Sequence, residues 1–350
     1  LKLSNTSVWI ARIGRVRTFR CVVVLRVVTP VEAWGCLGHR IEVVNWQELN
    51  VRNAQVFDRG DSGQVAGLNH CLLLGPPGMG KSSLAFVISQ EMASPFIEVL
   101  GQNLRTPADL NNLLLEAEDK SIVHIDEIHE APQAIQTALY MALDKRQVMV
   151  RSGGGIASIP VRDFTLLLST TEEHDLLQPL RDRMRLTLRF DYLSDSDLCQ
   201  VVSSRAKSLG WDVGEYVPFH ISTRARGTPR IALKLLQAAR RVCRAGSETT
   251  INTDHLLTAC RLEGIDNLGL GFLEQRYCRL LLGGPRRVNV IASALGVPSK
   301  TLVSVQEPFL IRLGLIDKDE TSRRVLTPKG RQHLQQSENA SNDIGIDPAF

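Results

Sequence analysis

The stretch GPPGMGKS, Gly75 to Ser82, carries the strongest chemical signal in the chain. It fits G-x-x-x-x-G-K-[ST], in which glycines let successive backbone N–H groups converge on phosphate oxygens. The positive end of a following helix adds to that field. An apolar run, His70 to Gly75, precedes the loop and a helix-like stretch follows it, which is the context the pattern requires. Gly75, Pro76, Pro77, Gly78 and Gly80 are expected to form a phosphate cradle, with Ser83 at its helical end. Lys81 would reach the β- and γ-phosphates of ATP, and Ser82 would hold Mg²⁺.

A second signal is IVHIDEIH, Ile122 to His129. Asp126 falls where an apolar strand ends, so its carboxylate should enter the crevice at the strand's carboxyl edge. There it would help hold Mg²⁺, while Glu127 would polarise an attacking water. His129 fits packing as well as function. A third strand, FTLLLST, ends at Thr170 and Thr171, where a hydroxyl could hold water or sense the γ-phosphate. Arg230, in RARGTPRIA, opens a helix and suits either a phosphate contact or a surface ion pair. Arg181, Arg183 and Arg185 crowd into one turn, HDLLQPLRDRMRLTL, and are either solvated charges or tools aimed at an anion.

These residues need elements to hold them. Short continuous apolar runs separated by helix-length segments read as parallel strands covered on both faces, an α/β layer architecture. LRFDYL, Leu188 to Leu193, is expected to close the sheet. From Ser194 the pattern becomes helical: Ser194 with Asp197 suggests a cap, and Pro229 to Gly246 has proline at its start and glycine at its end. From about Phe272 to His333 two helical stretches and a basic hairpin read as helix-turn-helix plus wing. RQVMVRSGGGIASIPV reads as a β-hairpin with a glycine-rich tip.

The chain has 350 residues, 43% hydrophobic and 22% charged, with a formal net charge of +4. That composition is ordinary for a globular protein, and the charge permits a nucleic-acid partner without demanding one. The seven cysteines include no CxxC pair, which fits reduced thiols in the cytoplasm rather than a disulfide framework or zinc site. No run approaches the roughly 18 apolar residues of a membrane span. Residues 1–34, basic and without an acid before Glu32, are expected to be a non-native or poorly ordered extension. A transit peptide or basic arm is the alternative.

The order of these motifs resembles the AAA+ ATPases, and within them the RuvB branch-migration family. LLLGPPGMGKSSLA, VHIDEIHEAPQAIQTALYMALD, FTLLLSTTEEHDLLQPLRDRM, RARGTPRIALKLL, DNLGLGFLEQRYCRLL and VQEPFLIRLGLI with VLTPKG carry the likeness, from about Asn69 to His333. The resemblance implies a large ATPase domain at 35–193, a helical lid at 194–270 and a winged-helix DNA-binding domain at 271–335. A disordered tail at 336–350 would follow. It implies that Arg183 is an arginine finger acting on a neighbour's ATP, that Thr171 is sensor 1 and Arg230 sensor 2. It also implies that Arg323 and Arg324 meet the DNA backbone. The glycine-tipped hairpin matches the segment by which the family docks on RuvA. A homohexamer on duplex arms of a four-way junction, with RuvA and RuvC as partners, completes the expectation. Two departures stand out: Ser82 replaces the family's usual Thr, and Glu172 its Arg after the paired threonines. A weaker echo of the family's N-terminal element lies at Leu37, Gly38 and His39, and an apparent insertion surrounds FDRGDSGQVAG.

Two other readings are compatible with the motifs. One is a different AAA+ machine, such as a clamp-loader subunit, against which the winged helix argues. The other is a nucleotide-dependent assembly protein that hydrolyses poorly, against which Glu127 and Arg183 argue.

Overall fold

The computed structural model describes residues 65–152 and 155–342, preceded by the strands Val8–Trp9, Val24–Val28, Arg40–Asn45 and Phe57–Arg59. The hairpin tip at 153–154, the Leu37–His39 echo and the end of the tail lie outside the described residues. The chain divides into two compact units. The first runs to Leu209 and includes Thr228–Arg230; the second comprises Gly210–Gly227 and the chain from Ile231 onward.

Five parallel strands form the centre of the first unit: β1 (Cys71–Leu74), β2 (Phe96–Leu100), β3 (Ile122–Asp126), β4 (Thr165–Thr170) and β5 (Leu186–Phe190). Their order is β2-β3-β4-β1-β5, all parallel. The chain therefore reverses direction across the sheet beside β1, creating a crevice at the carboxyl ends of β1 and β4. The continuous apolar runs of β1, β3 and β4 are almost wholly buried, as strands covered on both faces must be. The edge strand β2 alternates around Glu98 and is half exposed, so it lacks such a run. Arg40–Asn45 adds parallel to β5, and Val24–Val28 and Val8–Trp9 follow antiparallel. Two segments of the expected N-terminal extension thus belong to the sheet, where their backbone groups find ladder partners. Part of the apparent insertion is a small hairpin, Phe57–Arg59 against Val65–Leu68.

The glycine-tipped segment forms the expected hairpin, Gln147–Ser152 against Gly155–Pro160. Met149 and Ile156 lie diagonally on one of its faces and are exposed. Ser194 caps the helix Asp195–Ser208, accepting the Asp197 N–H at 3.2 Å.

In the second unit, a core around Tyr277, Ile291, Leu302, Leu310 and Leu315 holds the expected helix-turn-helix and wing. Its helices are Phe272–Leu280, Val288–Leu295 and Glu307–Arg312, and its wing pairs Ile316–Lys318 with Arg324–Leu326. The helix that ends at Arg312 begins at Ser299 and carries a π-turn at Leu302–Gln306. Pro308, just beyond it, has no N–H to continue the α-helical ladder. Among the described residues, no single helix is long and apolar enough to cross a membrane.

Candidate nucleotide site

The loop after β1 turns sharply because its glycines adopt conformations closed to other residues. Gly75 has φ 148° and sits so close to β5 that a Cβ would lie 2.4 Å from the Phe190 carbonyl oxygen. Gly80, at φ 94°, leads into helix α1 (Lys81–Glu91). Lys81 is buried at the start of α1, its Nζ donating to the Gly75 and Pro76 carbonyls at 2.7 and 3.2 Å. Burial pushes its pKa down, while the charges of Glu127 and Asp126 pull it up. A buried ammonium ringed by loop carbonyls and two carboxylates is a cation positioned for an anionic ligand.

Beside it, Ser82 Oγ donates to Asp126 Oδ2 at 2.7 Å, joining the first turn of α1 to the end of β3. Asp126 Oδ1 accepts the Glu127 N–H at 3.1 Å. Glu127 itself is left-handed, at φ 49° and ψ 52°. A non-glycine residue in that region costs of order 1–3 kcal/mol, a strain that clusters at functional sites. Its backbone passes so close to Gly101 that a Cβ there would come within 2.3 Å of the Glu127 carbonyl oxygen. The Glu127 side chain reaches β4, where Oε2 accepts the Thr171 N–H at 3.2 Å. Asp126, Glu127, Thr171, Lys81 and Ser82 therefore gather at one crevice, as their sequence positions anticipated. Arg230 joins them on the loop: its N–H donates to the Gly78 carbonyl at 3.3 Å, and its side chain is exposed.

The arginine cluster resolves differently. Arg183 donates from Nε to Asp144 Oδ1 at 2.7 Å and from Nη2 to Asp144 Oδ2. Its guanidinium lies 4.9 Å from the Tyr140 ring centroid. Arg183 is thus docked on the helix Gln133–Lys145 of the same chain, and the Asp144 carboxyl is held below its usual range by that guanidinium. Sequence reasoning missed Asp144, Tyr140 and Gly101. Asp144 is 39 residues from Arg183, and no local pattern links them.

One expectation requires correction. Arg324 does not present itself to DNA. It is 8% exposed, and its Nε and Nη2 donate to the two carboxylate oxygens of buried Glu307 at 2.8 and 3.0 Å. Tyr277 donates its hydroxyl to the same carboxylate at 2.8 Å. A buried carboxylate needs such partners, so Arg324 neutralises the winged-helix core. Arg323 is exposed but paired with Asp319 at 2.9 Å. The Thr321 hydroxyl, with help from Arg323, holds the Asp319 carboxyl down to about 2.

Three family profiles match consecutive segments. They are the Holliday junction DNA helicase RuvB P-loop domain over residues 42–190, the RuvB AAA lid domain over 193–266 and the RuvB C-terminal winged helix domain over 267–335. The chain belongs to the RuvB family. The Holliday junction branch migration complex subunit RuvB of Corynebacterium aurimucosum is 36% identical over 275 residues, 76% of each chain. That of an Anaeromyxobacter species is 33% identical over 290 residues, 81% of this chain and 85% of its own. Among solved structures, the Thermotoga maritima RuvB Holliday junction branch migration motor is similar with TM-score 0.65 and 29% identity, across 77% of this chain and 88% of that one. A variant of the same RuvB reaches TM-score 0.68 at 30% identity, across 77% and 89%. The AAA+ fold with RuvB lid and winged helix, which the motif order implied, is the fold of this chain.

Proposed function

We propose that the chain is an ATP-hydrolysing motor that drives branch migration of four-way DNA junctions in recombination and repair. The observation that carries this reading is the convergence of Lys81, Ser82, Asp126, Glu127 and Thr171 on one crevice, in a chain that also bears a winged helix. The cradle residues Gly75 to Gly80, with Ser83 behind them, would wrap the phosphates of ATP. Arg230 would reach the same phosphates from the loop's flank.

The paired Ser82 hydroxyl and Asp126 carboxylate are hard oxygen donors of the kind Mg²⁺ prefers, so the residues fit that ion. Bound there, it would neutralise charge between the β- and γ-phosphates. Glu127 would accept the proton of the attacking water, and Thr171 would fix the carboxylate's approach. Arg183 would leave Asp144 to stabilise phosphoryl charge in a neighbouring subunit's site, a role that would require a ring, by the resemblance a homohexamer. The exposed apolar pair Met149 and Ile156 suits docking on a RuvA-type partner, since apolar side chains grouped on a hairpin face favour contact with protein. RuvC would join through that complex. Phosphate contacts in the wing fall to the exposed Lys318 and Arg323, and such contacts are salt-dependent and sequence-independent. The site of action is the cytoplasm, where DNA and reduced thiols coexist.

The test is branch migration of a synthetic four-way junction with ATP, Mg²⁺ and a RuvA-type partner. Separation of the arms by the wild type, lost in Glu127→Gln, supports the reading. ATP turnover with no arm separation would move the chain to another DNA-associated AAA+ role.

A further inference from the structure

His129 stands in the short turn Ile128–Glu130 that follows Glu127. Its Nδ1 faces both catalytic strand ends at once, 3.3 Å from Glu127 Oε2 and 3.0 Å from Thr170 Oγ1. Thr170 Oγ1 already accepts the Glu172 N–H at 3.0 Å, and the Glu172 carbonyl, 3.4 Å away, can take the hydroxyl proton. An Nδ1 lone pair turned toward a carboxylate would be repelled by it. An Nδ1–H is attracted to both oxygens. The surroundings therefore select the imidazole with its proton on Nδ1.

The need for such a group follows from the Glu127 side chain. Its backbone packs closely against Gly101, but three side-chain bonds remain free to rotate, and ordering them requires partners. Thr171 is one, with its N–H at 3.2 Å and its hydroxyl at 3.5 Å from Oε2. We propose that His129 supplies the second: it is a positioning residue that pins the Glu127 carboxylate against the Thr170–Thr171 strand end. The water-activating and phosphate-sensing groups then keep a fixed spacing. This inference rests on Glu127 acting as the base.

The experiment compares His129→Ala, His129→Asn and His129→Gln in the full chain, since an Asn amide N–H can stand near Nδ1 and a Gln amide near Nε2. His129→Ala should lower kcat for ATP by about 10–10²-fold, the scale of a misplaced catalytic group, with KM and affinity for a fluorescent ATP analogue unchanged. His129→Asn should restore most of the loss and His129→Gln little of it. Nitrogen-15 spectra of histidine-labelled protein should show Nδ1 protonated in neutral His129. A wild-type kcat in His129→Ala, equal defects in Asn and Gln, or a proton on Nε2 alone would overturn the proposal. Glu127→Gln runs in parallel. If it hydrolyses ATP normally, the base assignment itself fails. If it is inactive while His129→Ala is normal, only the positioning role fails.

Discussion

At the P-loop, polar groups from the start of α1 and from the ends of β3 and β4 meet in a crevice: the Ser82 hydroxyl with Asp126, and the Thr171 N–H with the Glu127 carboxylate. In the wing, Arg324 points inward and spends its guanidinium on Glu307, while Arg323 lies along Asp319. The difference is topological. Parallel strands release their last residues into an open cleft, so a carboxylate at a strand end is available by construction. A two-stranded wing has two faces, and the alternation of side chains sends every second residue into the core. Arg324 is on the buried face and needs Glu307 there. A glutamate opens onto a crevice at Glu127 and is sealed into a core at Glu307.

The sharpest way to break this contrast is at Arg183. If Arg183 acts as an arginine finger, Arg183→Ala should cut ATP turnover by about 10³–10⁵, with nucleotide affinity retained in a binding titration. A modest loss would make its dock on Asp144 the whole of its role. In the wing, Arg324→Ala should destabilise the chain by about 3–5 kcal/mol, because it leaves Glu307 buried without its cation. Chemical denaturation checks this. Weaker DNA binding at unchanged stability would put Arg324 among the DNA contacts after all. Gly101→Ala pushes a methyl group against the Glu127 carbonyl, and should lower kcat by about 10²-fold through displacement of the base. ATP affinity should move little, and steady-state kinetics separates the two. The smallest effect is expected from Arg323→Ala. Its ion pair with Asp319 is open to solvent and screened, so it adds little. Stability should hold, and the slope of log DNA affinity against log salt should fall by about 1.

Much of the site was legible in the sequence because phosphate-binding motifs are contiguous and their strands are continuous apolar runs. Asp126, Glu127 and Thr171 sit where such a run ends, and Lys81 and Ser82 where the loop after one enters a helix; both kinds of boundary can be read locally. β2 escaped notice because an edge strand alternates and Glu98 interrupts it. Gly101 was silent because its function is to let another strand's loop pass, a contact made 26 residues away in sequence. Arg183 could be placed by resemblance, but its dock could not, since Asp144 and Tyr140 lie on a helix facing it only in three dimensions. Arg324 misled because basic residues in a wing read alike whichever face they occupy, and the Glu307 that claims it lies 17 positions earlier.

The claim most exposed to a single result is that each nucleotide site is finished by a second copy of the chain. Mixing Arg183→Ala subunits, which keep Glu127, with Glu127→Gln subunits, which keep Arg183, decides it. Each variant alone should be inactive. If the finger works in trans, mixed assemblies contain sites with both groups, and ATP turnover reappears on mixing. If the mixture stays as inactive as its parts while it still assembles, Arg183 acts within its own subunit and the ring account is wrong.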